Sequence, residues 1–129
     1  MTSLICVLIG ATIIMIIMYL FPIVTVCGDS MYPSYKNKEK IISTRLFYPD
    51  KLKSGDVVVF IPPSKTRDEI QFVIKRVYDV NEDGKIFFLG DNSEISYDSR
   101  DYGYVDKSRL VSKVIKPRPK QTATLKGVR

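Results

Sequence analysis

An apolar stretch near the N-terminus constrains this chain more than any other feature. Residues 4–26 hold no charged side chain. As a helix that rises ~1.5 Å per residue, they would extend ~34 Å, enough to cross a bilayer. A buried core helix and a cleavable signal sequence are the alternatives. A cleavable signal has a basic segment first and small residues at its cleavage site. Residues 1–3 contain no Lys or Arg, and residues 22–24 are Pro-Ile-Val, so the pattern favours a retained transmembrane anchor over residues 1–26.

The end of this anchor is predicted near Phe21. Pro22 has no backbone N–H and disfavours a helical conformation at the residue before it, so residues 23–27 are expected to leave the membrane as extended chain. Cys6 and Cys27 would then lie ~30 Å apart along the helix, whereas a disulfide needs Cα atoms within ~7 Å. We therefore predict two free thiols.

Charge and composition limit the partners and the chemistry. The net charge is +6, and each Lys or Arg close to an anionic membrane surface contributes ~1 kcal/mol of attraction. No recognition helix, zinc spacing or RNA-binding aromatic motif is visible, so we expect membrane lipids and no nucleic acid as partners. The sequence contains no histidine. This excludes a Ser-His-Asp triad, a Cys-His pair and a His-ligated zinc site, and we predict no metal and no cofactor.

Beyond residue 26 the pattern becomes one of short strands separated by turns. The Asp-Gly pair within residues 81–84 predicts a tight hairpin turn, and residues 64–69 and 90–103 are predicted as loops. We predict a small, mostly β domain over residues 27–116, an antiparallel barrel or sandwich on a single helix, followed by a basic, flexible tail at 117–129. The predicted strands are residues 40–44, 57–61, 70–80, 85–89 and 111–115.

The motif GDSMYP at residues 28–33 is the first candidate for chemistry. A serine between glycine and proline in a short rigid loop can be exposed, with backbone N–H groups free to bind an oxyanion. Gly-Asp-Ser is also a common turn, and by itself the motif favours the turn.

Lys75 is the second candidate. Strand alternation puts it on the same face as Val73 and Val77. Burial on an apolar face can lower a lysine pKa by 3–5 units, and the neutral amine can then take a proton from a serine hydroxyl. The alternative is an edge-strand lysine whose amine reaches solvent, which is the commoner case.

Residues 90–103 form the third candidate, a polar segment bounded by glycines. It is either a solvated loop or a hydrogen-bonded support for a site. Asp98 and Arg100 are close enough in sequence to pair across a turn, and an exposed pair of this kind contributes about 0–1 kcal/mol.

Together these motifs resemble the ordered boxes of type I signal peptidases, the membrane proteases that use a Ser/Lys dyad. GDSMYP is similar to the nucleophile box, and IKRV at residues 74–77 to the base box. The resemblance extends from the anchor to about residue 115, and the short 81–84 hairpin makes it similar to the small Gram-positive forms. Two more boxes have counterparts. One is GDVVVF at residues 55–60. The other, at residues 90–103, begins with GDN and includes Ser96, Asp98, Arg100 and Gly103.

The resemblance implies roles for individual residues. Ser30 would be the nucleophile and Lys75 the general base. Ser96 would hydrogen-bond the Lys75 amine, and an Asp98–Arg100 salt bridge would support the site. The Ser30 N–H would donate to the oxyanion. Some members have a second donor, a serine side chain, where this chain has Gly28, so that donor would have to come from the backbone near Gly28 or from water.

The function implied is removal of signal peptides from secretory preproteins after small residues at −1 and −3, through an acyl-enzyme. The domain would lie on the extracytoplasmic face of the plasma membrane. The sequence also departs from the family at Ser34, where threonine is usual. Two alternatives remain open: a LexA-like self-cleaving Ser/Lys protease, and a membrane-tethered β binding module without catalysis.

Overall fold

The computed structural model describes residues 1–63 and 71–121. The loop predicted at 64–69, the predicted start of a strand at Ile70 and the tail beyond residue 121 lie outside the described residues.

The apolar stretch forms one helix, α1 (Thr2–Leu20), which holds no charged residue. Within the described residues it is the one helix long and apolar enough to cross a membrane, and none of it is buried against the rest of the protein. It ends before Pro22, as predicted from proline geometry. It is shorter than the 4–26 stretch, because the residues after Pro22 extend and join the sheet instead.

The rest of the described chain is mostly one curved antiparallel sheet, a half-barrel. This confirms the predicted β fold on one N-terminal helix. The sheet order is β1-β2-β6-β3-β4-β5, so β1 and β5 are its two edge strands. The strands are β1 (Ile23–Thr25), β2 (Lys40–Thr44), β3 (Val57–Phe60), β4 (Val73–Val80), β5 (Ile86–Leu89) and β6 (Leu110–Val114).

Arg45 joins the helix to the sheet. Its backbone N–H donates to the Leu20 carbonyl at 2.8 Å, and its Nε donates to the Tyr19 carbonyl at 2.9 Å. Its guanidinium also stacks over the Tyr19 ring, 4.7 Å from the centroid. The last carbonyls of a helix lack intrahelical partners and carry partial negative charge, so a cation there stabilises the end. The exit point of α1 is therefore tied to the start of the β domain.

Two apolar clusters hold the sheet. The first combines Val57, Val59 and Ile74 with Met31 and Tyr35, which come from the segment after β1. The second is built around the stacked rings of Phe60 and Phe88, whose centroids are 4.1 Å apart, on β3 and β5. The first cluster is the one that matters for the site, because it anchors the GDSMYP segment against β3 and β4.

The connections show one feature that alternation does not predict. The turn after β4 is the expected tight hairpin, with Gly84 at φ 78°. The segment predicted as a loop at 90–103 contains a short helix, α2 (Ser99–Tyr102). Asp98 starts it with a capping box that pairs with Asp101, because aspartate at an N-cap accepts the unpaired N–H groups of the first turn. Two 3₁₀ turns, Pro49–Lys51 and Lys107–Arg109, complete the described elements.

Candidate active site

The segment that carries Ser30 is a tight turn with buried anchors. The Tyr32 N–H donates to the Asp29 carbonyl at 3.1 Å, and the Tyr35 N–H donates to the Met31 carbonyl at 2.9 Å. The side chains of Met31 and Tyr35 are almost wholly buried in the first apolar cluster. Ser30 itself is half-buried, so the turn presents its hydroxyl while its neighbours hold the backbone.

The structure brings Ser30 and Lys75 together. Lys75 Nζ lies 2.7 Å from Ser30 Oγ, a hydrogen bond between residues 45 positions apart in the chain. Lys75 is on β4, opposite Val58 of β3, and only 5% of it is exposed. Of the two alternatives for Lys75, the buried amine is what the structure shows, and the solvent-facing edge lysine is excluded.

Burial changes the acid–base character of this lysine. It lowers the pKa of Lys75 from 10.5 to about 8, while the negative charge of Asp98 raises it and so limits the fall. Desolvation disfavours the ammonium form, and a nearby carboxylate favours it. At mildly alkaline pH a substantial share of Lys75 is therefore the neutral amine that a general base must be.

Asp98 forms the predicted pair with Arg100, but in a different setting from an exposed turn. Arg100 Nε donates to Asp98 Oδ1 at 2.9 Å, and the Asp98 side chain is fully buried. Burial raises the pKa of Asp98, but hydrogen bonds from Arg100 and the Gly90 N–H outweigh it, and the pKa falls to about 2. Asp98 is therefore a permanent negative charge beneath the site.

Ser96 differs from what the resemblance implied. Its Oγ is buried and has no hydrogen-bond partner in the part of the chain that the structure describes, so the expected bond to the Lys75 amine is not formed. The hydroxyl lies against Gly90, where an added Cβ would collide with Ser96 Oγ. Ser96 therefore lies next to Gly90 without a bond to Lys75 among the described residues.

The structure shows whether the backbone N–H groups of Ser30 and Gly28 are free to bind a ligand. Across the described ranges, the Ser30 N–H makes no hydrogen bond, so it is free to donate to a ligand. The Gly28 N–H is already engaged, since it donates to Asn37 Oδ1 at 2.9 Å. The Gly28 N–H therefore holds the turn in place, and a second donor from the backbone near Gly28 or from water stays a prediction.

Sequence reasoning missed a buried ion pair that ties β4 to the 90–103 segment. Arg76 follows Lys75 in β4, and its Nε and Nη2 donate to the two oxygens of Asp91 at 2.8 and 2.7 Å. Arg76 also donates to the Gly55 carbonyl at 2.9 Å. Both residues stood in recognised boxes, but only the fold shows that they contact each other. Asn92, the next residue, was also missed, and its N–H donates to the Ser30 carbonyl at 2.8 Å.

A cleft of about 550 Å³ opens onto the Ser30–Lys75 pair. One wall is the segment 22–25, with edge strand β1, and the other is the start of β4 from Gln71 to Lys75. Residues 73–75 pair with β3 but precede the β5 ladder, which begins at Arg76. Two strand edges and a mainly apolar floor therefore surround the serine.

The described part of the C-terminal tail contacts the turn that follows Ser30. The Arg118 N–H donates to the Tyr35 hydroxyl at 2.8 Å, and the Gln121 N–H donates to Ser34 Oγ at 2.9 Å. Arg118 also forms an ion pair with Glu39. The Ser34 hydroxyl, at the position where the resemblance led us to expect threonine, is thus a hydrogen-bond acceptor for the tail.

Comparison with known proteins identifies the family to which these features correspond. A family model described as signal peptidase, peptidase S26, matches residues 1–81 and 78–117. The matched ranges include α1, the Ser30 turn, β4 and the 90–103 segment. A search of curated proteins finds no match to the chain.

Proposed function

The chain belongs to the signal peptidase family, peptidase S26, and from this premise we propose that it is a membrane-bound serine endopeptidase that removes signal peptides from secretory preproteins. The family implies a serine peptidase and a membrane association. The observation that carries the proposal is the 2.7 Å contact between Lys75 Nζ and Ser30 Oγ. It joins a nucleophile to a base of lowered pKa at the floor of a cleft, with no histidine in the sequence.

Acylation follows from this contact. Neutral Lys75 takes the proton of the Ser30 hydroxyl as Oγ attacks the carbonyl carbon of the scissile peptide bond. The electron pair of the carbonyl moves to its oxygen, which the Ser30 N–H stabilises. When the intermediate collapses, the C–N bond breaks and the Lys75 ammonium returns its proton to the leaving amine. An ester between Ser30 and the signal peptide remains.

Deacylation repeats the cycle with water. Lys75, neutral again, takes a proton from a water molecule as that water attacks the ester carbon. Collapse releases the carboxylate product, and Ser30 regains its proton. The buried Asp98 carboxylate, held ionised by Arg100, stabilises the lysine in the steps where it is an ammonium, since opposite charges favour the charged form. This is the supporting role that the proposal gives to Asp98 and Arg100.

The substrate is proposed to bind as an extended strand. The unpaired edges of β1 and the start of β4 line the cleft, and an extended peptide can add to such an edge through main-chain hydrogen bonds. The apolar lining from Ile23, Val59 and Val73 suits small uncharged side chains at −1 and −3. This supports secretory preproteins as the substrate class.

The position of the cleft relative to α1 supports action at a membrane surface. Pro22 and Ile23 line the cleft, and α1 ends at Leu20, so a membrane that contains α1 would lie beside the substrate site. We propose that the β domain faces the extracytoplasmic side of the plasma membrane, where signal peptides present their cleavage sites. Lipid headgroups and preproteins are then its partners, and nucleic acid is not.

The contact between Ser30 and Lys75, together with the family match, argues against the LexA-like protease and the binding module without catalysis. A binding module without catalysis needs neither a serine and lysine in contact nor a lysine of lowered pKa. A LexA-like protease would share the dyad, but the family match is to signal peptidases. No observation favours either alternative, so a single function is proposed.

The pH dependence of cleavage tests the base. Because Lys75 must be neutral and its pKa is about 8, the rate should rise about tenfold per pH unit below 8 and level off above it. An ordinary lysine would give a rise that continues to about 10.4. The measurement is kcat/KM of the full chain in detergent micelles on a test preprotein, from pH 6 to 10, with circular dichroism at each pH to check folding. A rate that does not change across this range would contradict Lys75 as the base.

A thiol reagent tests the cleft. Exposed Cys27 lines it beside Ser30, so a bulky maleimide on Cys27 should block substrate and lower cleavage by at least about tenfold. The experiment uses a Cys6→Ser background, in which Cys27 is the remaining one of the chain's two cysteines. Excess substrate should slow the labelling, and the Cys27→Ser variant should be insensitive. Stoichiometric labelling with activity within about twofold of the unlabelled protein would contradict this substrate path.

A further inference from the structure

Asn92 makes two hydrogen bonds to the backbone on either side of the nucleophile. Its N–H donates to the Ser30 carbonyl at 2.8 Å, and its side-chain Nδ2 donates to the Asp29 carbonyl at 3.0 Å. The side-chain contact joins positions 63 apart in the chain. Neither bond is a local turn bond. Both therefore connect the peptide units around Ser30 to a segment that is distant in the chain.

The Asp29 contact determines where the free Ser30 N–H points. The Asp29 carbonyl and the Ser30 N–H belong to the same planar trans peptide unit, so they point in opposite directions. A donor that fixes the carbonyl on the Asn92 side therefore fixes the N–H on the other side, where it has no acceptor within the described residues. A hydrogen bond accepted by the carbonyl also polarises the N–H of the same amide.

Among the residues that the structure describes, the Asp29 carbonyl accepts one other hydrogen bond, which is local. The Tyr32 N–H also donates to the Asp29 carbonyl, at 3.1 Å. That bond closes a turn within the Ser30 segment, so it moves with the segment. On the N-terminal side stands Gly28, at φ 88°, a residue type that permits more backbone conformations than any other. The bond from Asn92 Nδ2 to the Asp29 carbonyl is different, because it fixes the Asp29–Ser30 peptide relative to a separate part of the site.

Asn92 is itself anchored to the strand that carries the base. The residue before it, Asp91, is held by both nitrogens of the Arg76 fork, and Arg76 adjoins Lys75. On the other side, the Asn92 carbonyl accepts the N–H groups of Ile95 and Ser96 at 3.2 and 3.1 Å. This chain of contacts therefore holds the Ser30 amide in a fixed position relative to the strand that carries Lys75.

We propose that Asn92 is a positioning residue whose side chain orients the Ser30 N–H as the oxyanion donor. The inference deepens the proposed function and rests on it. It matters in this chain because glycine at position 28 offers no side-chain donor and its N–H is held by Asn37, so stabilisation of the oxyanion depends on how well the Ser30 N–H is aimed. Preorganised donors stabilise the charge that develops in the transition state and do little for bound substrate.

Kinetics of the full chain in detergent micelles test this proposal. In Asn92→Ala, kcat should fall about 10- to 100-fold, less than the roughly 10²–10³ lost on deleting a donor, while KM changes by less than about twofold. A peptide boronate, whose tetrahedral adduct places an oxygen in the oxyanion position, should lose affinity by the same factor as kcat/KM. The pH midpoint of the rate should match that of the wild type, because the Lys75 contact is untouched.

Two further variants separate orientation from shape. Asn92→Asp keeps the size of the side chain but replaces the donor with an oxygen that faces the Asp29 carbonyl, so it should be at least as impaired as Asn92→Ala. Glu94→Gln, an exposed change in the same segment, should behave as the wild type. Activity of Asn92→Asp within about twofold of the wild type, a raised KM with unchanged kcat, or a shifted pH midpoint would each overturn the proposal.

A spectroscopic measurement distinguishes failure of this inference from failure of the proposed function. The Ser30 amide is observed in protein labelled with ¹⁵N-serine and assigned by its absence in Ser30→Ala. If Asn92 orients this amide, its signal should shift or broaden in Asn92→Ala and stay unchanged in Glu94→Gln. If wild type cleaves no preprotein, the proposed function fails, and the amide still decides the inference: an unchanged signal in Asn92→Ala overturns it.

Discussion

Ser30→Ala and Lys75→Met are each expected to abolish preprotein cleavage, by roughly 10⁴-fold or more, since members of a nucleophile–base unit act together. Without Ser30 Oγ no acyl-enzyme forms. Without the Lys75 amine, the hydroxyl that lies 2.7 Å from it keeps its proton and is a weak nucleophile. Methionine fills much of the volume of the buried lysine, so this variant removes the base with little change in packing. Lys75→Ala is expected to be equally inactive, with a cavity in addition.

The measurement is single-turnover cleavage of a test preprotein by the full chain in detergent or lipid, with circular dichroism to show that each variant is folded. Lys75→Arg adds a control for charge: arginine stays protonated, so it should be inactive although it remains basic. Lys85→Met, at an exposed position of the hairpin, should cleave normally. Near-normal cleavage by a folded Ser30→Ala or Lys75→Met protein would refute the dyad.

Much of the fold follows from local sequence patterns. The helix end before Pro22 and the hairpin at Gly84 are backbone effects of single residue types, and such effects can be read without tertiary information. Each of the five strands predicted after the anchor overlaps one observed strand, from β2 to β6. Edge strand β1 was expected only as extended chain, because three residues carry too little periodicity to predict pairing.

The candidate site shows where sequence reasoning ends. Lys75 in contact with Ser30 was predicted from the resemblance. Alternation placed the lysine on an apolar face, but an exposed strand lysine is the commoner case. The Ser96 hydroxyl, which forms no bond to Lys75 among the described residues, depends on a side-chain rotation that no motif specifies. The bond from Gly28 to Asn37 links residues without a shared pattern. Contacts of this kind arise from three-dimensional packing, so only the structure reveals them.

Arg76→Met is expected to destabilise the protein by about 3–5 kcal/mol, the usual cost of removing one partner of a buried ion pair. The side chains of Arg76 and Asp91 are 9% and 1% exposed. Loss of the guanidinium leaves the Asp91 carboxylate desolvated and without its two donors, and it leaves the Gly55 carbonyl without its Arg76 contact. For a domain of this size the change corresponds to a fall in Tm of more than about 10 °C, measurable by thermal unfolding in micelles.

A matched surface pair and a double variant show whether burial is the cause. Lys107 and Asp50 form an ion pair with side chains 40% and 77% exposed, so Lys107→Met should cost at most about 1 kcal/mol. Adding Asp91→Leu to Arg76→Met removes the unpaired charge and should restore most of the lost Tm, because an apolar pair can replace a buried ion pair at little cost. Cleavage should stay impaired in the double variant, since Asp91 no longer anchors the segment that holds the Ser30 turn. A double variant as unstable as Arg76→Met would mean that packing of the arginine side chain, and not the buried carboxylate, accounts for the loss.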